Sequence, residues 1–196
     1  RVTTRRLTKY HRQTTTPDWT HAFSAAAVID GLTRAIPRPR RPEGGLPYLA
    51  GLLHNFVYRL RAHGVPPHFS LICRQLEVNP HVCHTYVEQH LLGISREQIG
   101  AWLMKLWDMP DELSTALRFQ HDPGSDGEYS AFPNLVLLAT RLLRSRGIGS
   151  GPQDEIPDEW LERLGLVREK AEDVVSKVLE AESLLRELAS QFQTPH

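Results

Sequence analysis

Apolar residues recur along this chain at steps of three and four, and the period-two alternation that strands need is almost absent, so the pattern predicts helices. Trp19, Phe23, Ala26, Ala27, Ile29 and Ala35 mark a first helix that Asp18 can cap and that the run Pro37 to Gly45 ends. Leu46-Pro47 opens the next helix, since proline suits a first-turn position where no donor is needed. Its stripe is Leu49, Leu52, Leu53, Phe56, Val57 and Leu60, and His54 and Asn55 lie within this helix at the border of the stripe. Shorter helices are expected over Phe69 to Glu77 and Pro80 to Leu92. Ser95-Arg96-Glu97-Gln98 reads as a capping-box start for a helix through Trp102, Leu103, Leu106 and Trp107.

Met109-Pro110-Asp111-Glu112 starts another helix, which ends near Gln120-His121-Asp122-Pro123. Phe132 to Leu143 is apolar on most sides and reads as a buried helix, followed by a flexible loop from Gly147 to Gln153. The last helix, Arg168 to Phe192, repeats Ala171, Val174, Val178, Ala181, Leu185, Leu188 and Phe192 at heptad-like steps, which permits a homodimer through this helix. Val175, Leu179 and Leu184 widen that stripe, which favours packing on its own domain.

The chain has 196 residues with 40% apolar content, enough to bury one core, so one domain is expected over residues 18–196 with residues 1–17 as a basic, Thr-rich linker to the rest of a longer protein. Lys and Arg total 23 and Asp and Glu total 23. A zero net charge gives no global positive field, so nucleic acid is not the expected partner. No apolar run approaches the roughly 18 residues of a membrane span, and Cys73 and Cys83 alone do not make a disulfide framework, so a cytoplasmic protein with reduced thiols is expected. The basic Pro37 to Gly45 run reads as a mobile, solvated surface loop.

Several side chains could carry chemistry. His81-Val82-Cys83-His84, with His90 and Cys73, gathers metal-capable groups but lacks the paired spacing of structural zinc sites, so it reads as coincidental. His121 beside Asp122 could act as a base pair, yet no motif-borne Ser or Cys nucleophile accompanies it. Trp102 and Trp107, five apart with leucines between, are read as core residues. Glu88 is read as structural, satisfying Arg96 or a helix terminus.

Five stretches in order resemble one family. They are Trp19-Thr20-His21-Ala22; Ala50-Gly51-Leu52-Leu53-His54-Asn55; Glu88 to Ile94 with Ile99 to Leu103 and Leu106 to Pro110; Gln120-His121-Asp122-Pro123; and Leu137 to Leu142. From Trp19 to about Leu188 the chain is similar to HDOD domains, bacterial signalling relatives of the HD phosphohydrolases and HD-GYP phosphodiesterases, with the preceding helical half of the family's usual domain missing. The resemblance implies an all-α, HD-like multi-helix bundle. It also implies that catalytic relatives hold a metal with a His, a His-Asp pair and a further Asp, matched here by His21, His54, Asn55 and Thr140.

Both carboxylates of that set are replaced, and Arg96 stands where related enzymes have another His. A hard divalent ion prefers anionic oxygen, and an amide cannot accept the proton that the Asp would take from water. The expectation is a vestigial pocket of His21, His54, Asn55, Arg96, His121 and Thr140, with no catalytic residue, no cofactor and no metal, or, if any metal, one held by His21 and His54. On this reading the chain is a non-catalytic regulatory module that acts through protein contacts, as in the output of a response regulator. The alternative is a metal-dependent phosphohydrolase with an altered ligand set.

Overall fold

A computed structural model describes residues 17–57, 71–72, 74–75, 78, 82, 84–149 and 155–192, with backbone alone for 17–19 and 188–192. The expected linker and most of the expected Phe69 to Glu77 helix lie outside the described residues, as do His81, Cys73 and Cys83. Among the described residues there are eight α-helices and no strand, so the all-α expectation holds. They are α1 (Pro17–Ala35), α2 (Leu46–Leu53), α3 (His84–Leu92), α4 (Arg96–Leu106), α5 (Asp111–Phe119), α6 (Ala131–Ser145), α7 (Asp158–Arg163) and α8 (Arg168–Phe192). No helix among them is long and apolar enough to cross a membrane.

The bundle is organised around α1, which packs against α2, α6 and α8. Its Ile29 and Leu32, and Ile36 just beyond its end, are fully buried, with Leu135, Leu138 and Leu143 of α6 and Leu113 and Leu117 of α5 in the same cluster. Each such side chain contributes about 1.5–3 kcal/mol by leaving water. Two glycines set the helix spacing. A Cβ on Gly51 would stand 2.7 Å from the Ala26 backbone, and one on Gly31 would stand 2.5 Å from Val174 Cγ1, so α2 and α8 reach α1 only because those positions carry no side chain.

The capping box at Ser95 is present: Gln98 N–H donates to Ser95 Oγ and Ser95 N–H donates to Gln98 Oε1. In the proline-rich run, a 3-10 turn spans Arg38–Arg40, and the Arg41 guanidinium donates to the carbonyls of Arg34 and Ile36 that α1 leaves open.

Three expectations need correction. Helix α2 closes at Leu53, so His54 is its C-cap and Asn55 lies in the following turn rather than within the helix. The reason is local: His54 turns back and donates from Nδ1 to Gly51 O. Trp102 is not core, being 64% exposed, and Trp107 is half exposed with its ring edge-on to Phe56. Glu97, Gly100, Ala101 and Met104 form the buried face of α4, and the small pair lets that helix lie close on Leu117 and Val57, which turns Trp102 and Leu106 outward.

The third concerns α8, which divides. Ala171 and Val175 are buried and Val174 rests on Gly31, whereas Leu184 and Leu185 are exposed, so the expected packing on the domain applies to the first half of the helix.

Candidate functional site

At the meeting of α1 and α2, the rings of His21 and His54 lie edge to face with centroids 5.3 Å apart. The close approach at Gly51 brings them together, since His54 follows Gly51 by one turn. His54 is 5% exposed, and its Nδ1–H donates to Gly51 O, which leaves Nε2 as a buried acceptor without a partner among the described residues. Burial, then the neighbouring charges of His21 and Arg144, pushes its pKa down to about 4, so the ring is neutral near pH 7. Asn55 Nδ2 donates to His21 Nδ1 at 3.3 Å, which places the His21 proton on Nε2. Burial and Arg144 lower the His21 pKa as well.

Thr140, buried in α6, donates its hydroxyl back to Val136 O at 2.9 Å and Leu137 O at 3.0 Å. Arg144 follows one turn later on the same face, and its charge acts on His21, His54 and His121. The four positions that resemble the family's metal ligands thus supply two imidazoles, an amide turned as a donor and a hydroxyl engaged by its own helix. A guanidinium replaces the expected negative field. This donor set does not fit a hard divalent cation.

Arg96 and His121, expected in that pocket, belong to a second cluster. Buried Glu88 on α3 accepts from Arg96 N at 2.7 Å, Nε at 2.6 Å and Nη2 at 2.6 Å, the structural role expected of it. His84 lies one turn before Glu88, and Glu97 follows Arg96, so the same clamp brings His84 Nε2 to 2.9 Å from Glu97 Oε1. His121, just beyond the end of α5, places Nε2 at 3.6 Å from that oxygen and its ring centroid 4.8 Å from that of His84.

Burial pushes the Glu97 carboxyl up, but the hydrogen bond from His84, the charges of His121 and His84 and a hydrogen bond from Ser95 outweigh it and lower its pKa to about 2. Burial first, then His84, keeps His121 below its ordinary value, against the attraction of Glu97. An ionised carboxylate facing a neutral His121 is the state we assign.

Sequence reasoning missed Arg144, Glu97 and the partnership of His84. His84 was grouped with His90, which instead stacks on Tyr86. The spacing of His84 and Glu88, one turn apart ahead of Arg96-Glu97, was the available signal: two side chains on one helix face opposite two consecutive polar residues.

Comparison with known proteins agrees with this architecture. A candidate signal transduction protein from Marinobacter aquaeolei VT8 superposes with a TM-score of 0.78 at 39% identity, over 90% of this chain and 39% of that one. A candidate phosphohydrolase from Shewanella amazonensis SB2B gives 0.61 at 22% identity, over 83% of this chain and 58% of that one. An HDOD domain protein with unknown function from Geobacter sulfurreducens gives 0.67 at 17% identity, over 86% and 60%. An uncharacterized protein of Treponema pallidum (strain Nichols) is 25% identical over 147 residues, 73% of this chain and 27% of that protein. The chain therefore spans about a quarter to two fifths of the length of the relatives named first and last. The HDOD domain model matches residues 2–123, more than half of the sequence, and the chain belongs to the HDOD family.

Proposed function

We propose that this chain is a non-catalytic HDOD signalling module that works in the cytoplasm through protein contacts, as a relay or output unit of a bacterial signal transduction protein. The observation that carries the reading is the Asn55–His21 hydrogen bond: the amide donates where an aspartate would hold a cation and take a proton from water. The Marinobacter protein, described as a candidate signal transduction protein and 39% identical, supports the signalling class. A surface for a protein partner is available on α4, where Trp102 and Leu106 stand one turn apart at 64% and 76% exposure.

The test combines phosphodiesterase and phosphatase assays, with added manganese or nickel, and capture of partners by the chain. The expected result is no turnover, with a partner that Trp102→Ser and Leu106→Ser release. A second reading, a metal-dependent phosphohydrolase with a changed ligand set, is favoured by the convergence of His84, Glu97 and His121. Metal-dependent turnover abolished by Glu97→Gln would establish it and sink the first.

A further inference from the structure

We infer that His84, Glu97 and His121 bind a divalent transition-metal ion, zinc above all, with a ligand set that does not include the His21–His54 pair. The inference concerns binding alone and stands whether or not the module signals through protein contacts. One ligand-capable atom from each of the three residues lies within 4.8 Å of the other two. His84 Nε2 is 2.9 Å and His121 Nε2 is 3.6 Å from Glu97 Oε1. Around a tetrahedral zinc with bonds of about 2.0–2.2 Å, ligand atoms stand roughly 3.4 Å apart, so small shifts of the side chains seat the ion.

A second observation points to a ligand independently. Glu97 is 3% exposed, and its Oε2 has no hydrogen-bond partner among the described residues. Buried carboxylate oxygens are ordinarily paired with a donor or a cation, because burial without one is costly. A metal bound through Glu97 supplies the cation that such a carboxylate lacks.

The chemistry of the set selects the ion. Two imidazoles and one carboxylate suit zinc, nickel or cobalt, whereas magnesium and calcium ask for a cage of oxygens. His84 and His121 keep 24% and 29% of their side chains exposed, which leaves an entry path and a position for water. The guanidinium of Arg96 is held by Glu88, so the nearest fixed cation on α4 already has its own carboxylate. The ends of three helices meet at the site, and Glu88 and the Ser95 capping box hold α3 and α4 in place before any ion arrives.

The test uses the full 196-residue chain, stripped of metal by chelation and titrated with Co2+, then with Zn2+ in competition. The expected result is one equivalent of Co2+ with a visible ligand-field band, displaced by Zn2+, and a melting temperature that rises with Zn2+ concentration. Glu97→Gln weakens binding by at least about 100-fold, beyond the 10–100-fold that loss of an outer partner costs. His84→Asn, at a partly exposed position, does the same with the apo fold intact by circular dichroism. His21→Ala leaves the band unchanged. Absence of the band, equal affinity in Glu97→Gln and His84→Asn, or loss of binding in His21→Ala each overturns the inference.

Discussion

The amide of Asn55 donates to Nδ1 of His21 across 3.3 Å, so these two residues form a neutral pair in which the proton positions are fixed. An aspartate at position 55 could only accept, and would oblige His21 to carry a proton on the facing nitrogen.

Asn55→Asp is therefore expected to raise the His21 pKa from its lowered value, read by following the ring proton resonances of His21 in an NMR titration. At pH 8 the variant holds a partly buried carboxylate beside a neutral imidazole and loses about 1–3 kcal/mol of stability. Because the raised His21 pKa contributes stability only while the ring is protonated, the loss shrinks as pH falls. An unchanged His21 titration would show that the amide does not set its state.

Acid should unfold the protein earlier than its carboxylates alone require. His54 has a folded pKa of about 4 against 6.5 when unfolded, so between those values the unfolded chain binds the extra proton. Stability is then full above pH 6.5 and falls as pH drops toward 4, by up to about 3 kcal/mol over the window. Glu97, depressed from 4.5 to about 2, continues the fall below 4.5. Chemical denaturation across pH 4 to 7.5 measures the slope, and His54→Gln flattens its upper part.

Gly51→Ala places a methyl group 2.7 Å from the Ala26 backbone and from Ile29 Cδ1. The overpacking costs about 1–3 kcal/mol, a drop of roughly 2–4 °C in melting temperature for each kcal/mol in a chain of this size. Calorimetry checks it, and a variant that melts with the native protein would mean that α1 and α2 separate without penalty.

The two halves of α8 should respond in opposite ways. Val175→Ala removes buried methyl groups and destabilises by about 1–3 kcal/mol, whereas Leu184→Glu and Leu185→Glu, on an exposed stretch, change stability by no more than about 0.5 kcal/mol. Sedimentation of the Leu184 and Leu185 variants also tests the homodimer that the heptad-like spacing permits: a dimer that becomes monomeric places the contact on this tail.

Much of the fold could be read from local signals. The Ser95 capping box, the apolar run of α6 and the proline at the start of α2 each work within a few residues, and each is present. The departures come from contacts distant in sequence. Trp102 faces outward because Gly100 and Ala101 let α4 settle on Leu117 and Val57, a preference no single helix encodes. Helix α7 was not foreseen. It is six residues long, and its Leu161 is buried with Ile156, Leu164 and Leu166 while Arg168 ties Asp158 to the Ile156 carbonyl.

In the site, His21, His54 and Asn55 were legible through the family resemblance and do meet. Glu97 was hidden inside a capping signal that explained it adequately, and Arg144 inside the register of a buried helix.

Helix α1 carries His21 near one end and Gly31 further on, about 15 Å away along its axis. Gly31 seats Val174, so α1 joins the histidine pair near its start to the base of α8 further on. One helix therefore carries both contacts, and the helix it seats runs on to Leu184 and Leu185, which meet the solvent.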